Sequence, residues 1–231
     1  MRIEPAERIT LAITDFSRRL RAHPENLLEG FADTEIMAGL PFIFASHEDT
    51  GRFQQYVATA LDIADAATKV FIVGSAKTGF SLDPDQSFTP FHESSDIDIV
   101  VIDAELFDDV WRTMLAWDYL TMRRRSRPEQ QWLYQRHDEV WSGWYDPPTW
   151  HFRERGGLEV LFPAALKSLR DFSYRWLSAF RSLSRYKDHP EIPRHKASAR
   201  LYRTRTHAAM YHAMGLRTLR RKLLREQIDA L

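Results

Sequence analysis

The sequence predicts an α+β fold: a small mixed β-sheet flanked by helices, with a helical C-terminal part. Three observations carry this. Short apolar runs bounded by turn residues occur at Val70–Val73, Asp96–Ile102 and Leu158–Phe162, and continuous apolar stretches of that length read as strands covered on both faces. Segments with apolar residues at helical spacing lie before and between them. The last third reads as two long helices, Ala164 to about Tyr186 and Arg194 to about Ile228, separated by Asp188-His189-Pro190-Glu191-Ile192-Pro193.

Taken in order, residues 5–22 carry Ile9, Leu11, Ile13, Phe16 and Leu20 among charges and read as an amphipathic packing helix or a helix with frayed ends. From Gly51 to about Lys69, Phe53, Val57, Ala60 and Ala64 recur at helical spacing, after which the pattern changes abruptly to Val70-Phe71-Ile72-Val73. That strand ends in Gly74-Ser75. The stretch Ser81–Ser95, rich in Ser, Asp, Pro and Phe, interrupts the pattern before the second strand begins. Ala104 to about Leu120 reads as a helix with Phe107, Val110, Trp111 and Met114 on its inner stripe. Thr121–Gly157, dense in Arg, Trp, Tyr and Pro, reads as irregular structure with short helices, and Trp132, Trp141, Trp144 and Trp150 within it as core aromatics. The third strand, at Leu158–Phe162, is bounded by Gly156-Gly157 and Pro163.

With 231 residues, 44% apolar and 13% aromatic, the chain can fill a sizeable core. The absence of cysteine excludes disulfides, thiolate metal sites and cysteine nucleophiles. No run approaches about 18 uninterrupted apolar residues, and charges interrupt the start of the chain, so no membrane segment or signal peptide is expected and a cytoplasmic location is the default. The neutral total of 32 basic and 32 acidic residues hides an asymmetry. Residues 1–163 hold 16 Lys+Arg and 27 Asp+Glu, a net of −11, whereas residues 164–231 hold 16 and 5, a net of +11. The chain therefore divides into a core unit, 1–163, and a basic helical segment, 164–231. Such a segment either holds a polyanion or faces the acidic part as an opposing layer within one fold.

The pattern that carries chemistry is a strand ending in Gly74-Ser75 followed by Ser95-Asp96-Ile97-Asp98-Ile99-Val100-Val101. Strand alternation places Asp96 and Asp98 on one face. Two carboxylates so close repel each other unless a cation lies between them, and hard oxygen ligands of this kind suit Mg²⁺, which completes its shell with water and substrate phosphates. Gly74 would let the backbone approach a phosphate, with Ser75 and the following amides donating to it. Lys77 is a candidate phosphate contact. Arg123, Arg124, Arg125 and Arg127 read as a solvated run, with a phosphate clamp as the alternative. Lys77-Thr78-Gly79 lacks the preceding SxxK that a penicillin-recognising enzyme requires. P-loop, Rossmann and histidine-metal patterns are absent.

Gly-Ser followed by an hDhDh strand resembles the DNA polymerase β-like nucleotidyltransferase superfamily, over about Gly51–Phe162. The resemblance implies a mixed sheet flanked by helices, Mg²⁺ or Mn²⁺ as cofactor, a nucleoside triphosphate donor (ATP in the leading reading), and transfer of a nucleoside monophosphate with release of pyrophosphate. It implies that Gly74 and Ser75 bind the phosphates and that Asp96 and Asp98 bind metal. The third carboxylate would be Glu159 on the third strand, with Asp146 and Glu139 competing for the role, and Ser81–Ser95 would be an insertion near the site. The basic segment favours a nucleic-acid or oligonucleotide acceptor. A protein-AMPylating enzyme of toxin–antitoxin or antiviral-defence type, acting on a partner protein, is the alternative within the enzyme class. A catalytically silent nucleotide- or nucleic-acid-binding module is the alternative outside it.

Overall fold

The structure is a computed structural model that describes residues 5–63, 68–121, 127–147, 167–186, 188–189 and 192–229. Helix α1 spans Pro5–Ala22, with Glu7 in its first turn and Arg19 and Arg21 in its last, each complementing the helix dipole. Its buried stripe is Phe16, Ser17 and Leu20. A short helix α2, Leu28–Phe31, runs into a wider-wound turn at Ala32–Met37. Helix α3 spans His47–Ala60. It starts four residues before the predicted Gly51 because Ser46 caps it: Ser46 Oγ accepts from Asp49 N at 3.1 Å and donates to Asp49 Oδ2 at 2.7 Å.

Strand β1, Lys69–Val73, pairs antiparallel with β2, Ile97–Ile102. A five-residue helix α4, Gly74–Thr78, starts directly at the end of β1. The predicted insertion folds back on itself: Ser81 N and Thr89 O, then Phe88 N and Ser81 O, bond at 2.8 and 2.9 Å. Helix α5, Ala104–Thr121, matches its predicted span and buries Phe107, Val110, Met114 and Trp117.

Three departures from the sequence reading stand out. The region read as irregular structure with short helices holds a longer helix of 15 residues, α6, Arg127–Trp141, followed by a two-residue strand β3, Trp144–Tyr145. Trp141, expected in the core, is 86% exposed. The predicted long C-terminal helix from Arg194 begins only at Arg205, its first part being a strand. After α7, Lys167–Ser182, residues Ala197–Tyr202 form strand β4, and only then does α8, Arg205–Asp229, begin, with Thr204 Oγ1 accepting from His207 N at 3.3 Å. The Ala-rich stretch has helix propensity, but its alternation of half-exposed and buried residues lets it pair parallel with β2, and sheet pairing overrides a weak local preference. The predicted strand Leu158–Phe162 lies outside the described residues.

The sheet order is β1-β2-β4-β3, with β3 antiparallel to β4. Fold class is therefore mixed α+β, with helices on both sheet faces and a C-terminal helix. One face packs Ile97, Ile99, Val101 and Leu201 against α3, α5 and α7, and the other packs Val100, Ile102 and Tyr202 against α1, α2 and α8. Burial on two faces explains why β2 reads as an uninterrupted apolar run from Ile99. The sheet draws strands from both sides of residue 163, and β4, from the basic segment, is the neighbour of β2. No helix among the described residues is long and apolar enough to cross a membrane.

The charge asymmetry is met within the fold. Arg203 pairs with Asp108 at 2.9 Å, Arg205 with Asp33, Arg217 with Glu25 at 3.2 Å and Arg221 with Glu25 at 2.6 Å, each joining the C-terminal segment to the acidic part. Solvated pairs of this kind each add at most about 1 kcal/mol, but together they place acidic and basic layers against one another.

Candidate functional site

The site forms where β1 hands over to α4. Val73 stands opposite Asp98 in the β1–β2 ladder, so the residue after Val73 must pass beside the Asp98 carboxyl. Gly74 does so with φ +64°, a conformation glycine adopts without steric cost. A methyl group at Gly74 would lie 2.6 Å from Asp98 Oδ2. The two halves of the sequence motif therefore touch, and the first must be glycine for the second to fit. Ser75 follows, half-buried, in the first turn of α4.

On the other side of β2, Ser198 of β4 stands in register with Asp98 and donates Oγ to Asp98 Oδ1 at 2.8 Å. Two further contacts fix the start of β2: Ile97 N donates to Lys196 O at 2.7 Å, and His195 Nδ1 lies 2.8 Å from Ser95 O. Asp96 is exposed immediately before β2. Asp98 is open to water, yet it sits in a concave cleft whose walls displace much of its hydration. Its pKa is consequently raised, the Ser198 hydrogen bond and the charge of Arg200 partly offsetting the effect and the charge of Asp96 adding to it.

This cleft has a volume of about 910 Å³, and Gly74, Asp98, Ser198, Arg200, Asp146 and Leu82 are among its lining residues. Leu82 belongs to the Ser81–Ser95 excursion, which borders the cleft and is clasped from α8 by Lys222 Nζ, donating to Pro84 O at 2.6 Å and Ser87 Oγ at 2.9 Å. Arg200, two residues beyond Ser198, lies over the rings of Tyr211 (5.0 Å) and Trp144 (5.7 Å) and 3.5 Å from Asp146 Oδ2. Behind Asp146 lies a second acid–base pair. Arg136 Nη1 donates to Glu139 Oε2 at 2.8 Å and to Asp146 O at 2.9 Å. Burial raises the Glu139 pKa to about 7 despite the Arg136 charge. On α8, burial and the nearby Arg200 lower the His212 pKa to about 4, so His212 is neutral at physiological pH.

The structure thus brings Gly74, Ser75 and Asp98 together, with Asp96 beside them. Lys77 is placed elsewhere. It is buried, does not line the cleft, and its ammonium donates to the carbonyls of Ala38 and Leu40, where burial depresses its pKa against the raising effect of Glu35. Its role is to tie the segment after α2 to α4, a correction to its reading as a phosphate contact. Glu159, Arg123, Arg124 and Arg125 lie outside the described residues, and Arg127 is exposed at the start of α6. Of the two competitors for the third acid, Asp146 reaches the cleft and Glu139 is committed to Arg136. Ser198 and Arg200 are not legible as site residues, because Ala197–Tyr202 reads as helix; its alternating pattern is the signal that could have shown a strand, and Tyr211, on the correctly read helix α8, joins the site through Arg200.

No group of three or more potential metal-ligating His, Asp or Glu side chains occurs among the described residues. The donors present, two carboxylates and a serine hydroxyl, are all hard oxygens, and a cation at Asp98 would offset the lost hydration of its carboxylate. The chemistry of the set suits Mg²⁺ or Mn²⁺. No family profile, curated protein or solved structure matches the chain.

Proposed function

We propose that the protein is a Mg²⁺- or Mn²⁺-dependent nucleotidyltransferase that transfers a nucleoside monophosphate from a nucleoside triphosphate, ATP in the first instance, and releases pyrophosphate. The observation that carries the reading is the contact of Gly74 with the Asp98 carboxyl, which gives the Gly-Ser and Asp-x-Asp halves of the motif a common location. In this reading Gly74 admits the phosphates to the backbone, Ser75 donates a hydrogen bond to them, and Asp96 and Asp98 would hold the metal. A metal ion held there would supply charge neutralisation of the triphosphate and would acidify the attacking hydroxyl.

The acceptor is not assigned by charge, since Arg203, Arg205, Arg217 and Arg221 are engaged with Asp108, Asp33 and Glu25. A nucleic-acid or oligonucleotide acceptor predicts a product ladder, and a protein acceptor predicts a mass increase on the partner. The test is pyrophosphate release from each of four nucleoside triphosphates with Mg²⁺ or Mn²⁺, wild type against the Asp96→Ala, Asp98→Ala double variant, with products resolved by mass. Loss of release in a folded double variant is the expected result, and undiminished release would overturn the reading.

A second reading, nucleotide binding without turnover, is favoured by one observation: β4 presents Ser198 and Arg200 to the cleft beside Asp98 and carries no carboxylate. It predicts metal-dependent nucleotide affinity with no pyrophosphate from any of the four nucleotides.

A further inference from the structure

We propose that Arg200 is an anion-binding residue that grips the polyphosphate of the nucleotide, exchanging Asp146 for a phosphate oxygen when ligand enters; this rests on the nucleotide reading of the cleft. Ser198 and Arg200 are two residues apart on β4 and therefore share the sheet face that carries Asp98, and all three line the same cleft. The carboxylates that line the cleft are Asp83, Asp98 and Asp146, with Asp96 exposed just before β2. A polyphosphate entering beside these groups needs a fixed positive charge, and of the two arginines that line the wall Arg136 is held by Glu139 at 2.8 Å and by the Asp146 carbonyl at 2.9 Å, which leaves Arg200 as the exchangeable cation.

Three features fit Arg200 to the task. Its guanidinium lies over the rings of Tyr211 and Trp144, and Nη1 donates to Tyr211 Oη. This fixes its position without neutralising its charge. Its partner Asp146 stands at 3.5 Å from Nε, which makes no hydrogen bond, so the ion pair lacks the short bidentate geometry of a committed Arg–carboxylate pair. Both side chains are also open to the cleft, Arg200 being 41% and Asp146 48% exposed. The weak carboxylate contact keeps the guanidinium paired in the free protein and is readily exchanged for a phosphate, which offers fork-shaped acceptors.

Binding of inorganic tripolyphosphate in EDTA, measured by calorimetry on the full chain, tests this without metal or turnover. Wild type is expected to bind. Arg200→Gln should weaken binding at least about tenfold, the equivalent of one charge-assisted hydrogen bond, and Arg200→Lys should fall between. Asp146→Asn, which removes the competing carboxylate, should tighten binding several-fold, a change of opposite sign that a purely structural Arg200 would not produce. Absence of binding by wild type, or Arg200→Gln binding as wild type does, overturns the assignment. If Arg200→Gln fails to fold, unchanged or weaker binding by Asp146→Asn overturns it alone. Failure of the nucleotidyltransferase reading is separate: tripolyphosphate binding that depends on Arg200, with no pyrophosphate released from any nucleotide, leaves Arg200 an anion site and removes the reaction.

Discussion

Replacing Gly74 with alanine tests the contact on which the functional reading stands, using stability alone. Two costs arise. At φ +64° an alanine pays about 1 kcal/mol relative to glycine. The new Cβ would lie 2.6 Å from Asp98 Oδ2 and 3.5 Å from Asp98 Cβ and Cγ, so the end of the Asp98 side chain must swing away. That movement disrupts the 2.8 Å hydrogen bond from Ser198, a loss of about 1 kcal/mol. The expected total is roughly 2 kcal/mol, a fall in Tm of about 4–8 °C for a chain of this length. In an Asp98→Ala background the obstructing carboxyl is gone and only the backbone term of about 1 kcal/mol remains. A double-mutant cycle by thermal and urea unfolding should therefore return a coupling near 1 kcal/mol between Gly74 and Asp98. An equal cost of Gly74→Ala in both backgrounds would show that the carboxyl does not occupy the space beside Gly74, and the geometric basis for joining the two motif halves would fall.

Lys77→Met keeps the buried stem but removes the ammonium that bonds the Ala38 and Leu40 carbonyls, and should cost about 2 kcal/mol of stability while changing nucleotide affinity less than about twofold. Weakened binding with an unchanged Tm would return Lys77 to the phosphates. Glu139 gives a pH signature. Burial, opposed by Arg136, raises its folded pKa to about 7 from 4.5, so the folded state binds its proton more tightly than the unfolded chain does. The resulting stability is complete below about pH 4.5 and is lost as pH rises through 7. With 12% of the Glu139 side chain exposed, roughly 2–3 kcal/mol is at stake. Glu139→Gln, which cannot ionise, should exceed wild type in Tm at pH 8 and equal it near pH 4.5. A Tm difference that stays constant between pH 4.5 and 8.5 contradicts the assignment.

The elements legible in the sequence are those whose local pattern and tertiary role agree. β1, β2 and α5 were found within a residue or two because VFIV and IDIVVI sit between helical faces and are buried on both sides. The motif was legible for the same reason: strand alternation fixes the face of Asp98, and the hand-over from Val73 to Gly74 follows from where the strand stops. β4 was not legible, because Ala197–Tyr202 is a poor strand by composition and becomes one only by pairing with β2, about 100 residues earlier. Ser198 and Arg200 were hidden with it. Lys77 was misread for a different reason. Its proximity to Gly74-Ser75 in sequence says nothing of side-chain direction, and one turn of α4 aims it at the carbonyls after α2 instead of into the cleft.

The location of the cleft follows from the same alternation. On the α8 side of β2 the series Asp98, Val100, Ile102 runs from the candidate site into the apolar core, and on β4 the matching series is Ser198, Arg200, Tyr202. Val100, Ile102 and Tyr202 are buried beneath α1, α2 and α8. The helical layer therefore covers two of the three rows and leaves Asp98 and Ser198 at the open end, with Arg200 at the boundary, where an apolar residue would have extended the core. An arginine at that row needs a reason, because a half-buried cation costs solvation that a leucine would not. Packing against Tyr211 and Trp144 offsets part of that cost, and the long contact with Asp146 recovers little of the remainder. A residue that costs stability where a leucine would pack better is expected to repay it on ligand binding, and Arg200→Leu should accordingly raise Tm in the absence of ligand while abolishing tripolyphosphate binding.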